Sequence, residues 1–255
     1  YQGVTGVQTC ALPIYNTLFS FNNLWIKANK DTFEEYTLFK DIEYSDFMKL
    51  YKKYDLYFWK QHDEGIITLD ELRELRLIKT LKHFDIDISH AEANKYFQSF
   101  FTKLLSSITV NRKINDLLLS LKGNVNIAIL TNGKLKEQNT KIDNLDIRSI
   151  FEKNIFISQN IGYEKPDPKA FLNVTSNLNV NPEECLFIGD SFKNDILGAL
   201  DVNMAAIWLT NSDKDTELYK KNGLCGCEDN IEVLLKKLLN DEYKDFTIKI
   251  GRAHV

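Results

Sequence analysis

The sequence predicts an α/β fold, in which a parallel sheet with helices on both faces is joined to a mainly helical block. Short apolar runs that end in polar or glycine residues alternate with helical segments over the C-terminal part of the chain, a pattern typical of parallel sheets. Helical periodicity dominates the N-terminal part. Glycine and proline number only 11 and 4 in 255 residues, which disfavours a turn-rich all-β fold.

Four uninterrupted apolar runs predict strands that are buried on both faces. They cover residues 127–130, 155–157, 185–188 and 205–209. Helices are predicted between and around them, at residues 114–121 and at about 134–140, 168–178, 193–202 and 229–239.

Residues 15–107 are predicted to be helical because apolar and aromatic side chains recur there at helical spacing. Thr68, with Glu71 three residues later, predicts a capping box at the start of one helix. We interpret the aromatic side chains, Phe58 and Trp59 included, as core rather than as a surface that stacks on bases. The periodic apolar positions are Phe47, Leu50, Tyr51, Tyr54, Phe58, Leu72, Leu75, Ile78, Leu81, Tyr96, Phe97, Phe100, Phe101 and Leu104.

Composition excludes several classes of protein. With 32 basic and 36 acidic residues the net charge is −4, which argues against a nucleic-acid binder held by a broad basic surface. No stretch approaches the roughly 20 apolar residues of a membrane span. Four cysteines in a chain of this length do not form a disulfide framework, so we expect a reducing, cytoplasmic location. The oligomeric state stays open between monomer and homodimer.

Both ends of the chain are interpreted as foreign. Residues 9–14 can be encoded by ACG TGT GCT CTT CCG ATC, and the reverse complement of that string encodes residues 250–255 when read one base in. One DNA string in both orientations resembles a ligated sequencing adapter. The chain also begins with Tyr1 rather than Met, so we expect a fragment and leave residues 1–14 and 250–255 out of the fold.

Polar residues follow three of the predicted strands, and the carboxyl ends of parallel strands are where ligands bind. After the first run, Thr131, Asn132 and Gly133 can offer a hydroxyl and backbone N–H groups to a phosphate, although a plain strand-to-helix turn would look the same. After the second run, Lys165 precedes a helix that Asp167 caps, and it can neutralise an anion.

Two carboxylates follow the third strand, at Asp190 and Asp195. Converging carboxylates repel each other unless a cation lies between them, and hard oxygen ligands beside a phosphate favour Mg²⁺. The alternative for Asp195 is a helix N-terminal acid that the helix dipole stabilises.

Taken together, these motifs resemble those of the haloacid dehalogenase superfamily of phosphohydrolases, over nearly all of residues 15–249. The resemblance implies a Rossmann-like core, residues 15–17 and 108–249, with an inserted α-helical cap domain at residues 18–107. The segments 58–68 and 208–211 are similar to the pyrimidine 5′-nucleotidase-like branch of that superfamily.

The resemblance also implies a reaction. A phosphatase of this family forms an aspartyl phosphate on the first Asp of an Asp-x-Asp-x-Thr motif, with Mg²⁺ as cofactor and a small phosphorylated metabolite, such as a nucleoside 5′-monophosphate, as substrate. Thr131 and the amides of Asn132 and Gly133 would hold the phosphoryl oxygens. Lys165 would balance charge, Asp190 would bind Mg²⁺, and Asp195 would bind it or orient its water shell.

The motif that should supply the nucleophile is missing. It would lie just before residues 15–18, and the first carboxylate in the whole sequence is Asp31. We therefore expect this chain to be inactive, with residues 5–12 either filling the place of the first strand or staying loose.

Several alternatives remain open at this point. A sugar-phosphate phosphatase or mutase of the same fold would carry the same motifs, and so would a non-catalytic binding protein on that scaffold. The paired acids disfavour a dehalogenase. Cys225 and Cys227 are interpreted as reduced thiols rather than a metal or redox site, because their spacing is not that of a zinc or redox motif. No ligand spacing connects the four histidines, His62, His83, His90 and His254.

Overall fold

The computed structural model describes residues 8–14, 16–19, 21–210, 226–240 and 242. These residues form two units. One is helical and runs from Asn22 to Ser107, and the other contains the described residues up to Phe21 and from Ile108 onward. None of the helices described is both long and apolar enough to cross a membrane. The adapter-like tail 250–255, His254, Cys225, Asn211 and Tyr15 lie outside the described residues.

The second unit is built on a parallel sheet, in which the described part contains six strands. In spatial order they run β3-β2-β1-β4-β5-β6, and every strand pairing is parallel. The strands are β1 (Thr9–Leu12), β2 (Asn126–Thr131), β3 (Ile155–Ile157), β4 (Cys185–Gly189), β5 (Ala205–Leu209) and β6 (Gly226–Glu228). The four predicted strands are confirmed as β2 to β5. The three-residue β6 was not predicted, because Gly-Cys-Glu contains no apolar run.

The helical unit contains the periodic apolar residues, and most of them are buried. Thr68 and Glu71 form the predicted capping box, with both reciprocal hydrogen bonds present. Phe58 is buried, as expected, but the expectation for Trp59 was wrong: it is 42% exposed and stacks on His62. The long helices of this unit are α1 (Phe21–Glu35), α2 (Tyr44–Asp63), α3 (Leu69–Lys82) and α4 (His90–Ser106).

Helices follow each of the strands β2 to β4, as the alternating pattern predicts. Two short helices, α7 and α8, were not predicted, because four residues are too few to show a helical period. The helices of this unit are α5 (Arg112–Lys122), α6 (Leu135–Asn144), α7 (Arg148–Phe151), α8 (Ser158–Ile161), α9 (Pro168–Leu178), a π-helical turn (Phe192–Leu197), α10 (Gly198–Leu200) and α11 (Ile231–Leu239).

The central strand of the sheet comes from the adapter-like segment. Ala11 in β1 pairs with Ala128 of β2 on one side and with Phe187 of β4 on the other. All four residues of β1 are buried, and so is Ile14. Of the two outcomes expected for residues 5–12, the described part, residues 9–12, fills the place of the first strand, since a short apolar run with small side chains satisfies a strand position that is buried on both faces.

Candidate active site

The carboxyl ends of β2, β1 and β4 lie side by side in the sheet, and the predicted polar residues follow two of these three strands. Lys165 reaches the same place from the loop between α8 and α9. Asp167 accepts a hydrogen bond from the backbone N–H of Lys169, and Pro168 is the first residue of α9. The predicted cap is thus present, and it fixes the segment that carries Lys165.

Lys165 and Asp195 form a buried ion pair. Lys165 Nζ lies 2.6 Å from Asp195 Oδ1, and the two side chains are only 5% and 3% exposed. The backbone N–H of Ser191 donates to the other carboxylate oxygen of Asp195 at 3.0 Å. The ammonium group also lies 5.2 Å from the centre of the Phe187 ring. Asp195 is therefore more than a helix N-terminal acid, because two donors hold it in place.

A glycine is required where β4 ends, because the backbone of Gly189 passes close to the Asp195 side chain. A Cβ atom added at Gly189 would lie 2.6 Å from Asp195 Cγ, well inside van der Waals contact. The Gly-Asp sequence that closes this strand thus leaves room for the second acid of the pair.

The Asn132 side chain ties the turn after β2 to the Lys165 loop. Its Nδ2 donates to the carbonyl oxygen of Lys165, and its Oδ1 accepts from the Lys165 backbone N–H, both at 2.8 Å. This reciprocal pair of bonds satisfies the main chain of Lys165 on both sides. Sequence reasoning assigned Asn132 only a backbone amide for phosphate and missed this role, because side-chain bonds between distant loops leave no local signal.

The turn itself is supported by two buried side chains that the sequence did not single out. The backbone N–H of Gly133 donates to Ser158 Oγ at 2.9 Å, so this amide, expected to hold a phosphoryl oxygen, is directed at a protein hydroxyl. The Thr131 hydroxyl donates to Gln138 Oε1 at 3.3 Å, and Gln138 Nε2 donates to the Asn132 carbonyl at 3.1 Å.

Asp190 lies at the electrostatic centre of the site. Burial and the charge of Asp195 raise the pKa of its carboxyl group, while a hydrogen bond from Asn16 and the charge of Lys165 act in the opposite direction. Asn16 Nδ2 lies 3.1 Å from Asp190 Oδ2, and Asn16 itself adopts a left-handed backbone conformation with a φ of 45°. Lys165, Asp190 and Asp195 thus interact in one place.

The end of β1 carries no acid. Pro13 and Ile14 follow Leu12 directly, and the sequence contains no Asp or Glu before Asp31. Pro13 lies beyond the last residue of β1, so its missing N–H removes no bond from the strand ladder. Thr17 is buried close behind, and its hydroxyl has no hydrogen-bond partner in the described structure.

The donors present suit a hard divalent cation in chemical type, but they do not complete a site. Asp190 offers a carboxylate whose pKa is raised by burial and by the charge of Asp195, and a divalent cation beside it would favour the ionised form. Asp195 is already engaged by Lys165. Among the described residues, no group of three or more His, Cys, Asp or Glu side chains is placed to hold a metal.

Comparison with known proteins identifies this arrangement. A model of the haloacid dehalogenase-like hydrolases matches residues 7–203, well over half of the chain. The chain belongs to the haloacid dehalogenase-like hydrolase family. The family predicted from the three motifs is therefore confirmed, and the matched region includes β1.

The chain is similar to two characterised sequence relatives and to one solved structure. The chain is 25% identical over 195 residues to the pyrimidine 5′-nucleotidase YjjG of Escherichia coli. This alignment covers 76% of the chain and 81% of the relative. It is 38% identical over 81 residues to a glyceraldehyde 3-phosphate phosphatase of Pyrococcus furiosus. This shorter alignment covers 32% of the chain and 33% of the relative. The magnesium-bound hydrolase YfnB of Bacillus subtilis has the same fold, with a TM-score of 0.75 at 23% identity over 92% of this chain and 99% of the other.

Proposed function

We propose that this chain carries the phosphate-binding and cation-binding half of a Mg²⁺-dependent phosphomonoester hydrolase that acts through an aspartyl phosphate. The observation that carries the proposal is the buried Lys165–Asp195 pair beside Asp190, tied through Asn132 to the turn at Thr131. A buried cation among acids at the ends of parallel strands is suited to an anionic substrate.

Each residue has a part in the proposal. The Thr131 hydroxyl and the backbone N–H of Asn132 hold phosphoryl oxygens, and Lys165 neutralises charge on the nucleophile and the phosphoryl group. Asp190 would hold Mg²⁺, and Asp195, which positions Lys165, would orient the water around the cation. Bound Mg²⁺ supplies Lewis-acid stabilisation of the negative charge on the phosphoryl oxygens.

We further propose that the chain with its present sequence does not turn over, because the strand β1 ends in Pro13 and Ile14 rather than in a carboxylate. Covalent catalysis needs an oxygen nucleophile that attacks phosphorus and a second group that protonates the leaving oxygen. We expected the motif just before residues 15–18, but with Thr17 as its last residue Asp-x-Asp-x-Thr would instead span residues 13–17 and put the two acids at positions 13 and 15. The buried, unpartnered hydroxyl of Thr17 supports that register.

A repaired variant tests the proposal. Pro13→Asp combined with Tyr15→Asp is expected to release inorganic phosphate from nucleoside 5′-monophosphates in the presence of Mg²⁺, and chelation of the metal is expected to abolish the release. The matched control carries Pro13→Asn and Tyr15→Asn, which have the same shape without the charge. Turnover by the unaltered chain would refute its inactivity, and a folded but silent repaired variant would refute the phosphatase.

The substrate is proposed from the relatives. The pyrimidine 5′-nucleotidase relative aligns over most of both chains, which favours nucleoside 5′-monophosphates, whereas the glyceraldehyde 3-phosphate phosphatase relative aligns over about a third. Triose and sugar phosphates therefore form the second arm of the assay, and isomerised sugar phosphate would indicate a mutase. We also propose a cytoplasmic location, and the buried Cys10 and Cys185, which are not disulfide-bonded, are consistent with it.

A further inference from the structure

We propose that Gln138 is a positioning residue that holds the turn Thr131–Asn132–Gly133 in the shape that binds a tetrahedral oxyanion. The inference rests on the proposed function and assigns a role to a side chain outside the predicted motifs. Gln138 lies in the first half of α6 and is only 1% exposed. Its amide bonds to the first two residues of the turn and lies against the third, so Gln138 acts through the turn rather than on the substrate.

The two ends of the Gln138 amide have separate partners. Nε2 donates to the carbonyl oxygen of Asn132 at 3.1 Å, and Oε1 accepts from the Thr131 hydroxyl at 3.3 Å. The first bond turns the carbonyl of Asn132 toward α6 and away from an incoming anion, which it would repel. A buried amide with both ends bonded also fixes its own position, because losing either bond leaves a buried polar atom unpaired.

The same amide explains the glycine of the turn. Gly133 has a φ of 132°, a region that other residues rarely adopt, and a Cβ atom there would lie 2.5 Å from Gln138 Nε2. The side chain of Gln138 therefore fills the space directly against the backbone of the turn. Because Gly133 has no Cβ atom, the Gln138 amide can lie this close to the backbone of the turn.

The long bond to Thr131 leaves its hydroxyl able to respond to a ligand. At 3.3 Å the bond is weaker than a typical O–H···O hydrogen bond. A phosphoryl oxygen that enters the turn can compete for the one hydroxyl proton, and charge-assisted bonds are the stronger kind. Gln138 thus orients the Thr131 side chain before phosphate binds, while the weak bond leaves the hydroxyl proton available to the phosphate.

Inorganic phosphate is the probe for this role, since it binds without turnover and can be titrated into the unaltered chain by calorimetry. Gln138→Leu, which keeps the approximate volume and removes both bonds, is expected to weaken phosphate binding about tenfold. Gln159→Leu is the matched control, because Gln159 Oε1 accepts from the Leu135 backbone N–H of the same helix but lies outside the turn. Its affinity for phosphate is expected to stay within about twofold of the unaltered chain.

A charged variant separates positioning from general loss of structure. Gln138→Glu keeps an acceptor for Thr131 but, when ionised, has no donor for the Asn132 carbonyl. A buried carboxyl has a raised pKa and regains a donor when it is protonated. The ratio of its phosphate affinity to that of the unaltered chain is therefore expected to recover from about pH 8 to about pH 5, whereas the ratio for Gln138→Leu stays low.

The outcomes distinguish this inference from the proposed function. Equal phosphate affinity of the Gln138→Leu variant and the unaltered chain, or an equal loss in Gln159→Leu, would overturn the positioning role. The same conclusion follows if the unaltered chain binds no phosphate, or if backbone amide exchange at 131–133 is unchanged in Gln138→Leu without phosphate. None of these results decides whether the repaired variant releases phosphate, which is the separate test of the proposed function.

Discussion

The strands β1 and β4 are neighbours in the sheet, yet their carboxyl ends are chemically opposite. The end of β1 is apolar, with Leu12 and Ile14 fully buried. The end of β4 passes into Asp190, Ser191 and the buried Asp195. The two strands are joined by the same kind of parallel pairing, from Thr9 with Cys185 to Ala11 with Phe187.

This difference shows that a strand position and a catalytic position have different requirements. A central strand needs only a few apolar residues that pair with a neighbouring strand on each side, and residues 9–12 do so. The chemistry depends on the one or two residues that follow each strand. The apolar end of β1 stabilises the fold because its side chains are buried. The polar end of β4 holds charged groups whose desolvation is costly unless each has a partner.

The largest effect is expected at the polar end, from Lys165→Met. The variant leaves the Asp195 carboxylate buried without its cation, so the free energy of unfolding should fall by about 4 kcal/mol, measured by urea unfolding followed by circular dichroism. Adding Asp195→Asn in the same chain should recover most of the loss, because no buried charge then remains. Strictly additive losses in the double variant would show that the two side chains do not interact.

A slightly smaller effect is expected at the apolar end, from Leu12→Ala. Leu12 is fully buried at the end of the central strand, so the substitution opens a cavity against one face of the sheet and should lower the free energy of unfolding by about 3 kcal/mol. Leu119→Ala, on an exposed position of α5, is the control and should change it by less than about 0.5 kcal/mol. Equal effects of the two variants would mean that residues 9–12 do not form the central strand in solution.

Sequence patterns were sufficient for the strands β2 to β5 and for the longer helices, and they singled out the charged residues of the candidate site. Apolar runs located β2 to β5 because strands that are buried on both faces must be apolar throughout. Lys165 could be found because it precedes a helix that Asp167 caps, and Asp190 and Asp195 because they follow the apolar run of β4.

The remaining features depend on contacts between distant segments. The reciprocal bonds of Asn132 with Lys165 span 33 residues, and nothing near either residue indicates them. The bonds between Ser158 and Gly133 and between Asn16 and Asp190 also join distant segments. The strand β1 could not be fixed either, because four small or apolar residues followed by proline suit a loose segment equally well until the neighbouring strands are known.

The smallest predicted effect has the opposite sign and comes from Asp190→Asn. Burial and the charge of Asp195 raise the pKa of Asp190. The protonated carboxyl group is therefore better tolerated in the folded chain than the ionised one, and the free energy of unfolding falls as pH rises through the folded-state pKa. At neutral pH the ionised carboxylate costs stability. The amide removes that cost while it still accepts the bond from Asn16. The free energy of unfolding at pH 7 should therefore rise by about 1 kcal/mol, a gain of the size that single stabilising substitutions commonly give. The gain should disappear in acid, where Asp190 is already protonated. The exposed control Asp201→Asn should show neither effect, and a loss of stability in Asp190→Asn at neutral pH would mean that the bond from Asn16 and the charge of Lys165 outweigh desolvation at the end of β4.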